Sequence, residues 1–383
     1  MRAYLDHNAT SPLRPEASAA LRAALEQRMG NPSSIHAEGR AARRTVEEAR
    51  AQVAALLAVP AAEVTFTGSG TEAIATAVLG VCARLPAEKR RVVVSAVEHS
   101  AVLAAVHQAA SWGIEVEEVA PGADGRVLPA AMARRIGLDT GLVALQWANN
   151  ETGVIQPVRE VGQAAAASGA AYFVDAVQAA GKIALDARAA GAHLVAVSAH
   201  KLGGPQGVGA LCVREGLVLQ PLVPGGGQEG RRRGGTEAVA AIAAFGAAAE
   251  AARARLAAEA GRLMRLRARI ETRLRALFPE LRIHGEGAPR LANTVNLGFP
   301  GISGESLAIA LDLAGFAVST GSACASGAVL PSHVIRAMGG GEEEARSAVR
   351  VSMGWSTTEG EVERFLDAVP GVVSRVREAQ AAP

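Results

Sequence analysis

The chain has 383 residues, 49% of them hydrophobic and 3% aromatic, with a formal net charge of +2. That length is too great for one simple core and suits a large domain with a smaller companion, and the composition excludes a disordered or fibrous protein. The small net charge gives no electrostatic reason to expect nucleic acid, and the most apolar stretch, 238–249, is too short for a bilayer and runs into Glu250 and Arg253, so no membrane association is expected.

Taken in chain order, the start Met1-Arg2-Ala3-Tyr4-Leu5-Asp6-His7-Asn8 lacks the basic region and apolar core of a secretory leader, which predicts a cytoplasmic location. Short β-branched runs then alternate with Ala-rich segments of helical period. This is the pattern of an α/β fold, a mostly parallel sheet with helices on both faces. Strands are predicted over 64–67, 92–96, 142–147, 171–175, 194–198 and 210–213. Ligands of such sheets collect at the carboxyl ends of the strands, and those ends carry Gly68-Ser69-Gly70-Thr71, His99, Asn149, Asp175, His200 and Lys201. After Gly230 the character changes. The Ala/Arg/Leu-periodic stretch 238–278 predicts one or two helices leading to a smaller α+β domain, with strands at 293–297, 317–319 and 348–352 and helices at 305–314 and 358–376. The expected division is a large domain of 14–250 and a small domain built from 1–13 and 251–383.

Lysine occurs at three positions, Lys89, Lys182 and Lys201. Lys89 sits in the polar run Glu88-Lys89-Arg90-Arg91 and Lys182 in a turn, where a solvated charge is the ordinary outcome. Lys201 instead follows a predicted strand, between His200 and Leu202-Gly203-Gly204-Pro205, where burial can prepare an amine to form a Schiff base with an aldehyde cofactor. Asp175 ends another strand, where a carboxylate can pair with a protonated pyridine nitrogen. Thr67-Gly68-Ser69-Gly70-Thr71-Glu72 is a glycine turn between strand and helix, whose free N–H groups suit a phosphate. Each signal is weak by itself; together they supply the phosphate cradle, ring partner and amine that pyridoxal 5'-phosphate requires. The cysteines Cys82, Cys212 and Cys324 are too widely separated for a disulfide framework or a CxxC zinc site, so cysteine chemistry here is single-thiol chemistry and no resident metal is expected. Cys82 and Cys212 lie in apolar runs and read as packing residues. Lys201 and Asp175 alone suit a transaminase or a lyase equally well. The feature that separates those readings is Cys324, set in a Gly/Ser/Ala segment.

The chain resembles class V aminotransferase-fold enzymes of the cysteine desulfurase family, that is, the fold type I of PLP-dependent transferases. The resemblance is carried by the segments from Tyr4 to Thr10 and from Gly30 to Ser34, by Glu98-His99, Asn149-Asn150-Glu151-Thr152-Gly153, Asp175-Ala176-Val177-Gln178 and Ser198-Ala199-His200-Lys201, and by Gly235-Thr236-Glu237 and Gly321-Ser322-Ala323-Cys324. The short form of the cysteine loop is similar to that of the iron–sulfur-assembly branch. It implies Lys201 as the Schiff-base lysine, Asp175 on the ring nitrogen, Gln178 on the ring oxygen and His99 stacked over the ring as a catalytic proton carrier. Gly70, Thr71, Ser198 and His200 would hold the phosphate, with Thr236 reaching across a homodimer interface. Asn149 and Arg350 would take the carboxylate of the substrate L-cysteine, Arg350 through its bidentate fork. Cys324 would receive the sulfur as a persulfide and pass it to an acceptor protein such as an iron–sulfur scaffold, where it could also contact a cluster transiently.

Overall fold

The computed structural model describes residues 2–27, 30–320 and 330–381. The alternating runs of the first part of the chain form a seven-stranded sheet, ordered Val64–Thr67, Gly209–Val213, Leu194–Ser198, Ala171–Asp175, Thr140–Ala144, Arg91–Ser95 and Glu115–Val119. Every neighbouring pair is parallel except the two made by Gly209–Val213, which runs antiparallel to both its partners. The reason is connection length. The stretch 199–208 is too short for the helical crossover that a parallel return requires, so the chain turns back beside the strand it has just left.

Central strands such as Thr140–Ala144 and Leu194–Ser198 are buried along their whole length, which is why they read as continuous apolar runs. Glu115–Val119 escapes that signal. It is an edge strand, and three glutamates in five residues keep its outer side in water and discourage pairing with another chain. Helices including Gly70–Cys82 and Ala37–Leu57 cover the two faces and bury two apolar clusters against the sheet.

The helical stretch expected over 238–278 is a single 39-residue helix, Val239–Leu277. Its first turns place Ile242, Phe245 and Ala249 in the core beneath the large sheet, while Leu263, Leu266, Ile270 and Leu274 belong to a second core. That second core surrounds a four-stranded antiparallel sheet ordered Ser319–Thr320, Ala348–Ser352, Thr294–Gly298 and Arg282–Ile283, covered by helices Gly304–Leu313 and Glu359–Ala381. The expected strand at 317–319 is split: Phe316–Ala317 pairs in parallel with Ala3–Tyr4, and Ser319–Thr320 joins the four-stranded sheet. Ala3 and Leu5 are therefore part of the second core, although they open the chain. Among the described residues, no helix is long and apolar enough to cross a membrane.

The N-terminal segment continues from that core to the large sheet. His7, 2% exposed, has Nδ1 at 2.9 Å from Ser11 Oγ and Nε2 at 3.3 Å from Thr357 Oγ1. Burial, reinforced by the charges of Lys182, Arg14 and Arg262, pushes its pKa down to about 3. The folded protein therefore keeps His7 neutral where the unfolded chain protonates it. Its contribution to stability is complete above the ordinary histidine pKa and is lost as pH falls toward 3. His99 and His200, both lowered to about 4, act in the same direction, whereas Asp175, raised to about 6, favours the folded state most at low pH. Substituting His7→Gln should leave one proton fewer to be taken up on unfolding. Urea titrations should then show wild type losing about 2 kcal/mol more than the variant between about pH 7 and about pH 5. Parallel pH profiles for the two proteins would refute this.

Candidate active site

Three strands of the large sheet end at one cavity of about 320 Å³. Strand Ala171–Asp175 ends in Asp175, and Leu194–Ser198 ends in Ser198 and continues through a 3₁₀ turn, Ala199–Lys201, that carries His200 and Lys201. Val64–Thr67 leads through Gly68 and Ser69 to helix Gly70–Cys82. The cavity is bordered by Gly70, Thr71, His99, Asp175, Gln178, Ser198, His200, Lys201 and Arg350, nine of the residues singled out in the sequence. Asn8, Gln146 and Asn150 also border it. Asn8 and Asn150 lie inside segments that carried the family resemblance, but nothing in their residue type distinguished them from loop asparagines.

The phosphate turn is shaped by local capping. Ser69 accepts from Glu72 N at 3.0 Å as N-cap, and Glu72 Oε2 accepts from Gly68 N at 2.8 Å. The N–H groups of Gly70 and Thr71, at the positive end of the helix, meet no acceptor among the described residues. A side chain at Gly70 would put its Cβ 3.0 Å from Ser198 Cβ and 3.3 Å from Val177 Cγ2, so the glycine keeps this corner open. Two free donors at a helix N-terminus beside the Ser198 hydroxyl suit a dianionic phosphate.

Asp175 is 5% exposed and accepts from Val177 N at 2.9 Å. Burial raises its pKa to about 6, against the lowering influence of that bond and of Lys201. A buried carboxylate so disfavoured gains from a cationic N–H brought into the cavity, as a pyridinium would be. Lys201 Nζ donates to the carbonyls of Asn8 and Ala9, both at 2.8 Å, which hold the amine at the cavity wall. His99 caps helix Ser100–Ala110 by accepting from Ala101 N through Nδ1 at 3.1 Å. Burial, with Lys201 and His333, lowers its pKa to about 4, so the ring is neutral near pH 7 with its proton on Nε2. His200 Nδ1 lies 3.2 Å from Thr10 Oγ1, and burial likewise pushes it to about 4. The cradle, the buried carboxylate and the fixed amine fit pyridoxal phosphate.

Arg350 comes from strand Ala348–Ser352 in the smaller sheet. Its Nη2 pairs with Asp6 Oδ1 at 2.7 Å and its Nη1 donates to the Asn150 carbonyl at 3.1 Å, while Nε has no partner among the described residues. A substrate carboxylate at Arg350 would therefore share the guanidinium with Asp6. Asn149 does not border the cavity. Its Nδ2 donates to the Val97 carbonyl at 3.1 Å, and its Oδ1 accepts from Glu151 N and Thr152 N at 2.9 Å and from Thr152 Oγ1 at 3.1 Å. These bonds tie its amide into the turn, and the adjacent Asn150 faces the cavity instead. Thr236 is exposed and contributes nothing to the cavity wall of its own chain. Cys324 lies outside the described residues. Burial raises the thiols of Cys82 and Cys212 to about 12, which leaves both un-ionised at neutral pH.

The class-V aminotransferase pattern matches residues 3–365. A cysteine desulfurase of Cereibacter sphaeroides is 42% identical over 378 residues, covering 98% of this chain and 97% of the relative. The chain belongs to the class-V aminotransferase family, among the cysteine desulfurases. An IscS-like cysteine desulfurase of Mycobacterium tuberculosis is 41% identical, over 99% of this chain and 98% of its own length. Among solved structures, a NifS-like protein superposes with a TM-score of 0.92 at 33% identity, over 98% of this chain and 100% of that one. The structure described as SspA in complex with cysteine gives a TM-score of 0.80 at 27% identity, over 93% and 100%. Membership of this family accords with the site, where the amine and the carboxylate project from adjacent strand ends into one cavity.

The phosphate turn rests on Gly209 of the neighbouring antiparallel strand. A Cβ there would lie 2.6 Å from Ser69 C, 2.7 Å from Ser69 O and 2.8 Å from Gly70 N, all backbone atoms that cannot swing aside. Gly209→Ala should therefore displace the Gly70 and Thr71 donors and weaken pyridoxal phosphate binding by about tenfold or more. Equilibrium dialysis of the apoenzyme measures this, and wild-type affinity in a folded variant would show that the donors are not held by this contact.

Proposed function

We propose that the protein is a pyridoxal phosphate-dependent cysteine desulfurase that converts L-cysteine to L-alanine and carries the sulfur as a persulfide on Cys324. The observation that carries this reading is that Lys201, Asp175 and the Ser69–Gly70–Thr71 turn border a single cavity, which Arg350 closes from the smaller sheet. The cofactor, when bound, supplies an electron sink that makes cleavage at the cysteine carbons accessible. Asp175 keeps the ring nitrogen protonated, and Gly70, Thr71, Ser198 and His200 hold the phosphate. Arg350 would hold the substrate carboxylate, and Lys201 would take the α-proton at Nζ. Cys324, as thiolate, attacks the substrate sulfur. The new S–S bond forms as the Cβ–S bond breaks with its electron pair left on carbon, and alanine is completed by a proton delivered to Cβ and by return of the α-proton from Lys201 Nζ to Cα. His99 Nε2–H borders the same space and can move that proton.

The family resemblance and the exposure of Thr236 support a homodimer in which Thr236 completes the partner's phosphate cradle. The resemblance of the cysteine loop to the iron–sulfur-assembly branch supports delivery of the sulfur to a protein acceptor for iron–sulfur cluster or other thio-cofactor assembly. The cavity shape and cofactor residues would also serve a transaminase. The distinguishing element is a thiol that becomes sulfur-loaded.

Lys201→Ala should lose the visible absorbance of the bound cofactor and alanine release together, and a variant that keeps both would remove Lys201 from the mechanism. Cys324→Ser should keep the cofactor band yet lose sulfur release, because a serine hydroxyl is a far poorer nucleophile toward sulfur. Mass spectrometry of wild type after brief exposure to cysteine should place one added sulfur on the peptide containing Cys324. Sulfur on Cys82 or Cys212, or full turnover by Cys324→Ser, would overturn the assignment. Mixing Lys201→Ala chains with Thr236→Ala chains should restore activity through hybrid dimers, and an active species that sediments as a monomer would dispose of the shared cradle.

A further inference from the structure

Lys182 reads in the sequence as a surface charge in a turn, yet its ammonium is turned inward. Residues 177–182 form the turn that follows strand Ala171–Asp175, which brings Gln178 and Lys182, four residues apart, onto one side. Lys182 Nζ donates to Gln178 Oε1 at 2.6 Å and to Asn8 Oδ1 at 2.9 Å. Gln178 Nε2 in turn donates to the main-chain carbonyl of Asn8 at 2.9 Å. The Gln178 amide is thus held at both ends. In the reversed orientation its NH₂ would face the Lys182 donor and its carbonyl oxygen would face the Asn8 carbonyl, so both contacts would become repulsive at once. Asn8 takes one of the two hydrogens on Nε2, and the second remains available to the cavity that Gln178 borders. Burial and the charges of Lys201 and Arg350 press the Lys182 pKa well below the ordinary lysine range. The arrangement does not depend on that proton, because a neutral amine still carries two N–H donors for the same two acceptors.

We propose that Lys182 is a positioning residue that locks the Gln178 amide with its nitrogen available to the cavity, so that the site offers a donor to the anionic ring oxygen of the cofactor. This rests on the cofactor reading above. Gln178 touches the ligand; Lys182 acts through it, and Asn8 anchors both. Without Lys182 the amide can turn over and offer its carbonyl, which repels the same oxygen.

The test is a double-mutant cycle of Lys182→Met and Gln178→Ala. Its readouts are the dissociation constant of pyridoxal phosphate for the apoenzyme and the pH midpoint of the bound cofactor's visible absorbance. Lys182→Met should weaken binding by about tenfold and move the midpoint upward, since loss of a donor destabilises the deprotonated chromophore. The double variant should match Gln178→Ala alone, because once the amide is gone the lock has nothing to hold. Lys182→Gln, which keeps a donor of shorter reach, should fall between wild type and Lys182→Met, and it replaces the methionine variant in the cycle if that chain does not fold. Additive effects of the two substitutions, or an unshifted midpoint in folded Lys182→Met, would overturn the lock while leaving the cofactor reading intact. A wild-type protein that binds no pyridoxal phosphate would overturn both, and that result is distinguishable because it appears before any substitution is made.

Discussion

The hydrogen bonds of Asn8 join the two sheets, and the geometry of the site depends on them. Its main-chain carbonyl accepts from Lys201 Nζ and Gln178 Nε2, both borne by the large sheet. Its side chain accepts from Lys182 Nζ and Asn293 Nδ2 and donates to Thr294 Oγ1 and the Asn150 carbonyl, while its N–H donates to Ser352 Oγ. Asn293, Thr294 and Ser352 belong to the smaller sheet or its margin. A residue 1% exposed with every polar group paired leaves little freedom for one sheet to move against the other. That rigidity lets a guanidinium from one sheet and an amine from the other face the same cavity.

Low polarisability around the cavity then sets the charge states. Burial holds His99 and His200 neutral and raises Asp175 to about 6, and it raises the carboxyl of fully buried Glu98 well above the ordinary range. Glu98 Oε1 accepts from Gln146 N at 2.7 Å, and its Oε2 has no partner among the described residues. Asp175 is different in consequence. It borders the open cavity, so a protonated ring nitrogen can reach it and recover the energy that burial withholds from its anion. The burial that disfavours the Asp175 anion would thus favour a cationic ring placed against it.

The loop that carries Thr236 toward the surface is held by buried charge of another kind. Arg50 Nη1 and Nη2 meet Glu229 Oε2 and Oε1 at 2.7 Å each, and Glu229 Oε2 also accepts from Phe66 N at 2.8 Å. Glu229 and Arg231 adopt positive φ of 47° and 65°, conformations that ordinary side chains take up only when surrounding contacts impose them. Arg233 completes the anchoring by donating to Glu72 Oε1 at 2.9 Å, on the first turn of helix Gly70–Cys82. The strained segment is thereby tied to the cradle of its own chain while Thr236 itself stays exposed.

Residue order was enough to determine the strands that carry Asp175 and Ser198, the glycine turn before Gly70 and the place of Lys201 just past a strand end. Each depends on local chemistry: β-branched runs, a helix cap, and a lysine against a glycine-rich turn instead of among charges. The edge strand Glu115–Val119 stayed hidden because its glutamates answer to water, not to a core. Asn149 was assigned a ligand role, but its amide is engaged by the Val97 carbonyl and by Glu151 and Thr152 while Asn150 borders the cavity, and no spacing rule reveals which of two adjacent asparagines faces inward. Lys182 carried the signature of a solvated turn lysine. Only the approach of the N-terminal segment, some 170 residues away in sequence, supplies the Asn8 acceptor that draws it inward. Partners fixed by local sequence could be read from the chain, whereas those brought by long-range packing existed only once the two sheets had closed around Asn8.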